Sequence, residues 1–254
     1  MKNIFDFIPN YKMRIGVMGS ASGYIMRNKK SVEGAREIGK QIAKNNCILV
    51  NGACPGLPDE AAKGSKEEGG ETFGISPAIS IYSHVTKYKS PIDHYDGFLF
   101  TGLGLMVRDI INIRSSNGVI ILPGGTGTLN EFTVAYDEGK PIGILTDHDG
   151  VADHIDEILK FCHRDITDRM VFSDDPKLLV KKLIEITKKT PVGENLDDYL
   201  VGDEGAVTKI EEEFFTKLDK EIKDGHKTEK KIKVLKKLEE NLIKKELIKN
   251  IKNV

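Results

Sequence analysis

The chain has 254 residues, of which 39% are apolar and 30% charged, enough for a packed α/β core and too apolar for wholesale disorder. A formal net charge of −1 argues against a nucleic-acid or anionic-membrane partner recognised by bulk charge. Three cysteines, Cys47, Cys54 and Cys162, form no CxxC pair and point to reduced thiols in a cytoplasmic protein. No apolar run is long enough to span a bilayer, and the N-terminus lacks the apolar region of a signal peptide.

In chain order, short apolar runs alternate with amphipathic segments. Strands are expected at 14–19, 47–51, 72–76, 97–102, 118–124 and 141–146, with a seventh short one at "MVFS". Most are apolar throughout, the pattern of strands covered on both faces of a parallel sheet. Helices are expected at 31–45, 57–69, 105–116, 128–140, 152–164 and 176–189, the last with Pro176 in its first turn. The repeated strand–helix order predicts a doubly wound, mostly parallel Rossmann-like sheet with helices on both faces. That domain is assigned residues 1–190, followed by an acidic, glycine-containing linker at 191–204 and a lysine-rich helical extension at 205–254. In the extension Ile232, Leu235, Leu238, Leu242, Ile243, Leu247 and Ile251 form one apolar stripe, which fits packing on its own domain or on a second subunit.

The stretch "ILPGGTGTLNEF" (121–132) carries most of the chemistry. In an open parallel sheet, ligands sit beyond the carboxyl ends of the strands. Gly124, Gly125, Thr126, Gly127 and Thr128 lie at such a point, with a helix expected to begin near Thr126. Free amides at a helix start, reinforced by the helix dipole and unobstructed by Cβ atoms, suit a phosphate. The loop lacks the lysine of a P-loop, and Asn130 stands where a dinucleotide fingerprint needs its third glycine. Two further loops follow strands: "MGSASG", with Gly19 and Ser20, and "NGACPGLPDE", with Gly52 and Gly56. Glu131 is expected in the first turn of its helix, where a carboxylate stays ionised. Arg108 lies near the start of another helix, where the dipole disfavours a cation, and such a broken rule marks a candidate functional residue. With strands 97–102 and 118–124 as neighbours, Arg108 and Glu131 would overhang one crevice.

"PGGTGTLNE" (123–131) fits every fixed position of PGGxGTxxE, and the chain resembles the LOG family of cytokinin-activating phosphoribohydrolases, the "lysine-decarboxylase-like" group. The resemblance covers roughly residues 13–185 and includes the GS-type first loop and "DEGKPIGIL". It implies hydrolysis of the N-glycosidic bond of a nucleoside 5′-monophosphate, with Arg108 and Glu131 catalytic and the glycine loops holding the ligand. It also implies a homodimer paired through helices that line the site. Asp109 departs from the family's lysine, Ala53 from a glycine, and Pro55 and Pro58 stiffen the second loop. These departures bring the chain nearer to the related molybdenum-cofactor carrier proteins, so a non-catalytic nucleotide or molybdenum-cofactor binder is the alternative.

Nothing in the pattern calls for a metal or another cofactor, and no lysine sits in a pyridoxal-phosphate context. Cys54 has no histidine near it in sequence and reads as a loop residue. His148, Asp149, Asp153 and His154 match no zinc spacing and read as a solvated loop and helix start. His84 and His94 flank "VTKYKSPID", read as a mobile surface segment between strands.

Overall fold

A computed structural model describes residues 11–190. Seven strands form a parallel sheet in the order β4-β3-β2-β1-β5-β6-β7. They are β1 (Arg14–Met18), β2 (Ile48–Asn51), β3 (Glu71–Ser76), β4 (Gly97–Phe100), β5 (Gly118–Ile121), β6 (Ile142–Leu145) and β7 (Met170–Ser173). The helices are α1 (Lys29–Lys44), α2 (Leu57–Glu67), α3 (Ile81–Thr86), α4 (Gly104–Arg114), α5 (Thr126–Asp137), α6 (Ile155–Phe161) and α7 (Pro176–Lys189). The doubly wound α/β architecture expected from the sequence is the one observed. The expected linker and lysine-rich extension lie outside the described residues.

The uniformly apolar strands are explained by a core on each face. Ile15, Val17, Leu49, Ile120 and Leu122 pack with residues of α1, α2 and α7 on one side. Met18, Val119, Ile121, Ile142 and Ile144 pack with α4, α5 and α6 on the other. Alternate residues of one strand serve opposite layers, so the central strands β5 and β6 are apolar along their whole length.

Two glycines set the spacing of the first layer. A Cβ on Gly39 would stand 1.8 Å from the Ala61 carbonyl oxygen, and one on Gly64 would stand 2.0 Å from that of Arg36. The backbones of α1 and α2 therefore touch, and α2 carries the loop after β2 with it. Helix starts also differ. Asn28 caps α1 by accepting from the Lys30 and Ser31 amides, and Asp175 caps α7 by accepting from those of Lys177 and Leu178. By contrast α2 and α5 begin at Gly56 and Gly125 with no side-chain cap.

Three expectations need correction. Strands β4 and β5 are not neighbours; β3, β2 and β1 lie between them. The segment after β3 is not merely a surface loop: it contains α3, and His84 is fully buried, with Nδ1 2.8 Å from Ser76 Oγ and Nε2 3.0 Å from the Pro91 carbonyl oxygen. His148 is buried too, its Nδ1 2.6 Å from the Thr146 carbonyl oxygen. In each case an imidazole with two polar ends finds backbone or hydroxyl partners inside, which the local sequence does not reveal.

Candidate functional site

The order reverses between β1 and β5, leaving a crevice beyond their carboxyl ends. Three loops meet there and are tied by backbone hydrogen bonds. The Ser20 amide donates to the Pro123 carbonyl at 3.0 Å, and the Leu57 amide to the Ser20 carbonyl at 2.9 Å. From beyond β6, the Val151 amide donates to the Gly124 carbonyl at 2.8 Å. Gly150 makes this crossing possible: a Cβ there would meet Gly124 N at 2.7 Å.

Not all the predicted glycines serve one purpose. Gly19 faces Leu122, whose Cβ would lie 2.8 Å from an added methyl. Gly56 has φ +85 and closes on the Ser20 carbonyl. Ser20 has both donors engaged, its amide by Pro123 and its hydroxyl by the Ser22 carbonyl at 2.7 Å. Gly124 leaves room for the Thr128 side chain, whose Oγ1 would be 2.0 Å from an added Cβ. These positions are accounted for by the protein's own packing.

Gly125 and Gly127 are different. A Cβ on either would meet nothing within 4 Å, neither has a positive φ, and both are exposed. Gly127 is the second residue of α5, where glycine costs up to about 1 kcal/mol relative to alanine. Nothing within the described residues repays that cost. The amides of residues 124–128 donate to no group among the described residues, and the first helical bond of α5 runs from Leu129 to the Gly125 carbonyl. A row of unpaired N–H groups at a helix start, with open space above it, suits an anion.

Arg108 reaches this crevice by the course of α4 rather than by adjacency of strands. The helix leaves edge strand β4 and crosses toward β5, so successive residues meet successive strands. Arg108 lies on the loop after β2, Asn112 donates to the Met18 sulfur of β1 at 3.1 Å, and Ser116 lies against Gly16. Gly52 creates the seat, since a Cβ there would be 2.0 Å from Arg108 Nη1. Asn51 shapes the loop beneath, accepting from the Ala53 amide at 2.8 Å and donating to the Pro58 carbonyl at 2.7 Å. It holds Ala53 at φ 49, a left-handed conformation that is costly for a residue with a Cβ.

Arg108 Nη1 is 3.0 Å from Asp109 Oδ1 and 4.0 Å from Glu131 Oε1, and the three side chains are only 5%, 8% and 10% exposed. Arg108 Nη2 lies 3.3 Å from Cys54 Sγ, while Nε is buried and has no partner within the described residues. The Cys54 thiol is pushed up by burial, with Arg108 opposing, so it is no poised thiolate.

Glu131 corrects an expectation. It lies in the second turn of α5, and burial first, then the Asp109 carboxylate, push its pKa up to about 8 against the pull of Arg108. The first-turn dipole that would keep it ionised does not reach it, and desolvation decides. Burial raises Asp109 as well, with Arg108 the main opposing influence. The local sequence treated Asp109 only as a departure from a motif. Its place next to Arg108 was the signal that it belongs to the same charged cluster.

The cysteine and histidine residues set aside in the sequence stay apart from this cluster, Cys54 excepted. Among the described residues no three His, Cys, Asp or Glu side chains are grouped to hold a metal ion. No helix among them is long and apolar enough to cross a membrane. A separate cleft of about 310 Å³, lined by Thr146, Ala152, Asp153, Asp156, Ile166 and Phe172, opens beside β6 and β7 and contains none of the site residues.

A parallel seven-stranded sheet with a glycine-rich, uncapped helix start and a buried Arg–Asp–Glu cluster defines a Rossmann-like protein of the LOG type. The chain belongs to the SLOG cluster4 family, whose model matches residues 12–180. It is 31% identical over 133 residues to an uncharacterised protein of Archaeoglobus fulgidus, covering 52% of this chain and 80% of that one. It is 27% identical over 160 residues to a probable cytokinin riboside 5′-monophosphate phosphoribohydrolase of Oryza sativa subsp. japonica, covering 60% of this chain and 65% of the rice protein. Among solved structures, it is similar to the molybdenum cofactor binding protein of Rippkaea orientalis. The TM-score is 0.56 at 26% identity, covering 70% of this chain and 99% of that one. The Moco carrier protein of Chlamydomonas reinhardtii gives a TM-score of 0.56 at 29% identity, covering 71% and 100%.

Proposed function

We propose that this protein hydrolyses the N-glycosidic bond of a nucleoside 5′-monophosphate, releasing free base and ribose 5-phosphate. The carrying observation is the pairing of an open, unsatisfied amide row at 125–127 with a buried Arg108–Glu131 pair 4.0 Å apart. The amides of Gly125, Thr126 and Gly127 hold the 5′-phosphate, remote from the bond that breaks, and its binding energy positions the sugar. The transition state has oxocarbenium character, and Glu131 and Arg108 are the groups that meet the charges developing on sugar and base. Membership of a LOG-like family and the match to the rice phosphoribohydrolase support this reading.

The similarity to molybdenum-cofactor carriers supports a second reading, in which the same loops hold a phosphorylated pterin without chemistry. Incubation of the full chain with a panel of nucleoside monophosphates separates the two. Base release that is abolished in Glu131→Gln and Arg108→Ala supports the hydrolase. Retention of molybdenum cofactor with no base released from any nucleotide rejects it in favour of the carrier.

The protein acts as a homodimer in this proposal. The first turn of α4 is inverted: Leu103, Leu105, Met106 and Val107 are 48–59% exposed while Arg108 and Asp109 point inward. Ile79 adjoins them, its Cγ2 2.9 Å from where a Cβ on Gly102 would stand, and the exposed apolar surface favours cover by a partner. Sedimentation of the full chain at micromolar concentration tests this, with a strictly monomeric species as the opposing result.

A further inference from the structure

We propose that Asp109 and Glu131 hold one proton between them at neutral pH, with Asp109 the charged member, so that Glu131 meets its ligand as an acid. The chemistry rests on the hydrolase reading above; the placement of the proton does not.

One guanidinium, that of Arg108, faces two carboxyl groups, and all three side chains are at most 10% exposed. The Cys54 thiol, from the loop after β2, also bears on Glu131, while Asn130 of α5 hydrogen-bonds Asp109. No second cation among the described residues bears on Glu131. A single cation neutralises a single carboxylate, and a second unpaired anion in so dry a place is avoided by keeping a proton. Distance selects the member. Asp109 Oδ1 is 3.0 Å from the guanidinium, against 4.0 Å for Glu131 Oε1. Asp109 is further favoured as an anion by hydrogen bonds from Asn130 and from the Glu131 carboxyl itself.

The consequence for hydrolysis is specific. As the C1′–N bond breaks, its electron pair leaves on the base, and the base nitrogen takes the proton from Glu131. The carboxylate left behind faces the sugar cation. Water adds its oxygen to C1′ and returns one proton to Glu131. One water is consumed, base and ribose 5-phosphate are formed, and both carboxyl groups regain their starting state.

The test is a titration of the ligand-free full-length protein with isotope-labelled Asp and Glu carboxyl carbons, followed by NMR and assigned with Glu131→Gln. Glu131 should be protonated at neutral pH and ionise well above the other glutamates. Asp109→Asn should bring that ionisation down by about one pH unit or more, and Asp109→Glu should restore it. The alkaline limb of base release should move the same way in the same variants. Glu131 found ionised at neutral pH in the parent overturns the proposal, as does a titration indifferent to Asp109→Asn. If Asp109→Asn does not fold, the parent titration and that of Asp109→Glu decide. A protein that shows the titration but releases no base from any nucleotide loses the hydrolase reading and keeps the shared proton.

Discussion

Replacing Gly52 with alanine tests the seat of Arg108 at one atom. The new Cβ would lie 2.0 Å from Nη1, 2.5 Å from Cζ and 2.7 Å from Nη2. To reach an ordinary contact of 3.4 Å, the guanidinium must retreat by about 1.4 Å. It is the end of a flexible side chain, and Gly52 has no positive φ, so the backbone need not move. Loss of the Arg108–Asp109 bond costs about 1.5–3 kcal/mol, and the stiffer unfolded chain returns about 0.4–1 kcal/mol. The variant therefore stays folded, with a net loss of about 0.5–2.6 kcal/mol. Function should suffer more than stability, because a misplacement of about 1 Å at a catalytic group lowers kcat roughly a hundredfold. Thermal denaturation and base release, measured on the same preparation, check both halves. Unchanged kcat would refute the role given to Arg108, and loss of folding would refute the steric reasoning.

Gly127→Ala enters open space within a helix, so it should raise stability by up to about 1 kcal/mol while weakening phosphate and nucleotide binding. Calorimetry with inorganic phosphate and a melting curve measure the two opposed effects. Gly39→Ala should cost about 3 kcal/mol, since its Cβ would stand 1.8 Å from a carbonyl oxygen of α2 that has no freedom to yield, and denaturant unfolding reads this directly. Folding raises the Glu131 pKa from 4.5 to about 8, so the stability this group contributes is full below pH 4.5 and is lost as pH rises through about 8. Glu131→Gln should accordingly melt like the parent near pH 5 and gain an advantage on the order of 2–4 kcal/mol above pH 8. Melting curves across that range give the sign.

The parts read correctly from the sequence are those with short-range causes. Strand β7 and helix α7 match "MVFS" and 176–189 to the residue, because Pro176 and Asp175 punctuate the helix start locally. Helix α3 escaped notice because its six residues carry too little periodicity to stand out from a loop. His84 and His148 were misjudged because polarity in a sequence does not tell whether partners wait inside. Arg108 and Glu131 were picked out, one from its awkward place in a helix and the other from its motif. Their meeting does not come from strand adjacency: α4 carries Arg108 from edge strand β4 across to the loop after β2.

The sequence alone determined the layered α/β architecture and the uncapped glycine loop, since both follow from hydrophobic period and from the conformational freedom of single residues. Only the tertiary structure decided the state of Glu131. Burial and the Asp109 carboxylate, brought in by a helix that starts after edge strand β4, push its pKa up against the pull of Arg108. An ionisable group answers to whatever lies within a few ångströms, and chain order does not list those neighbours.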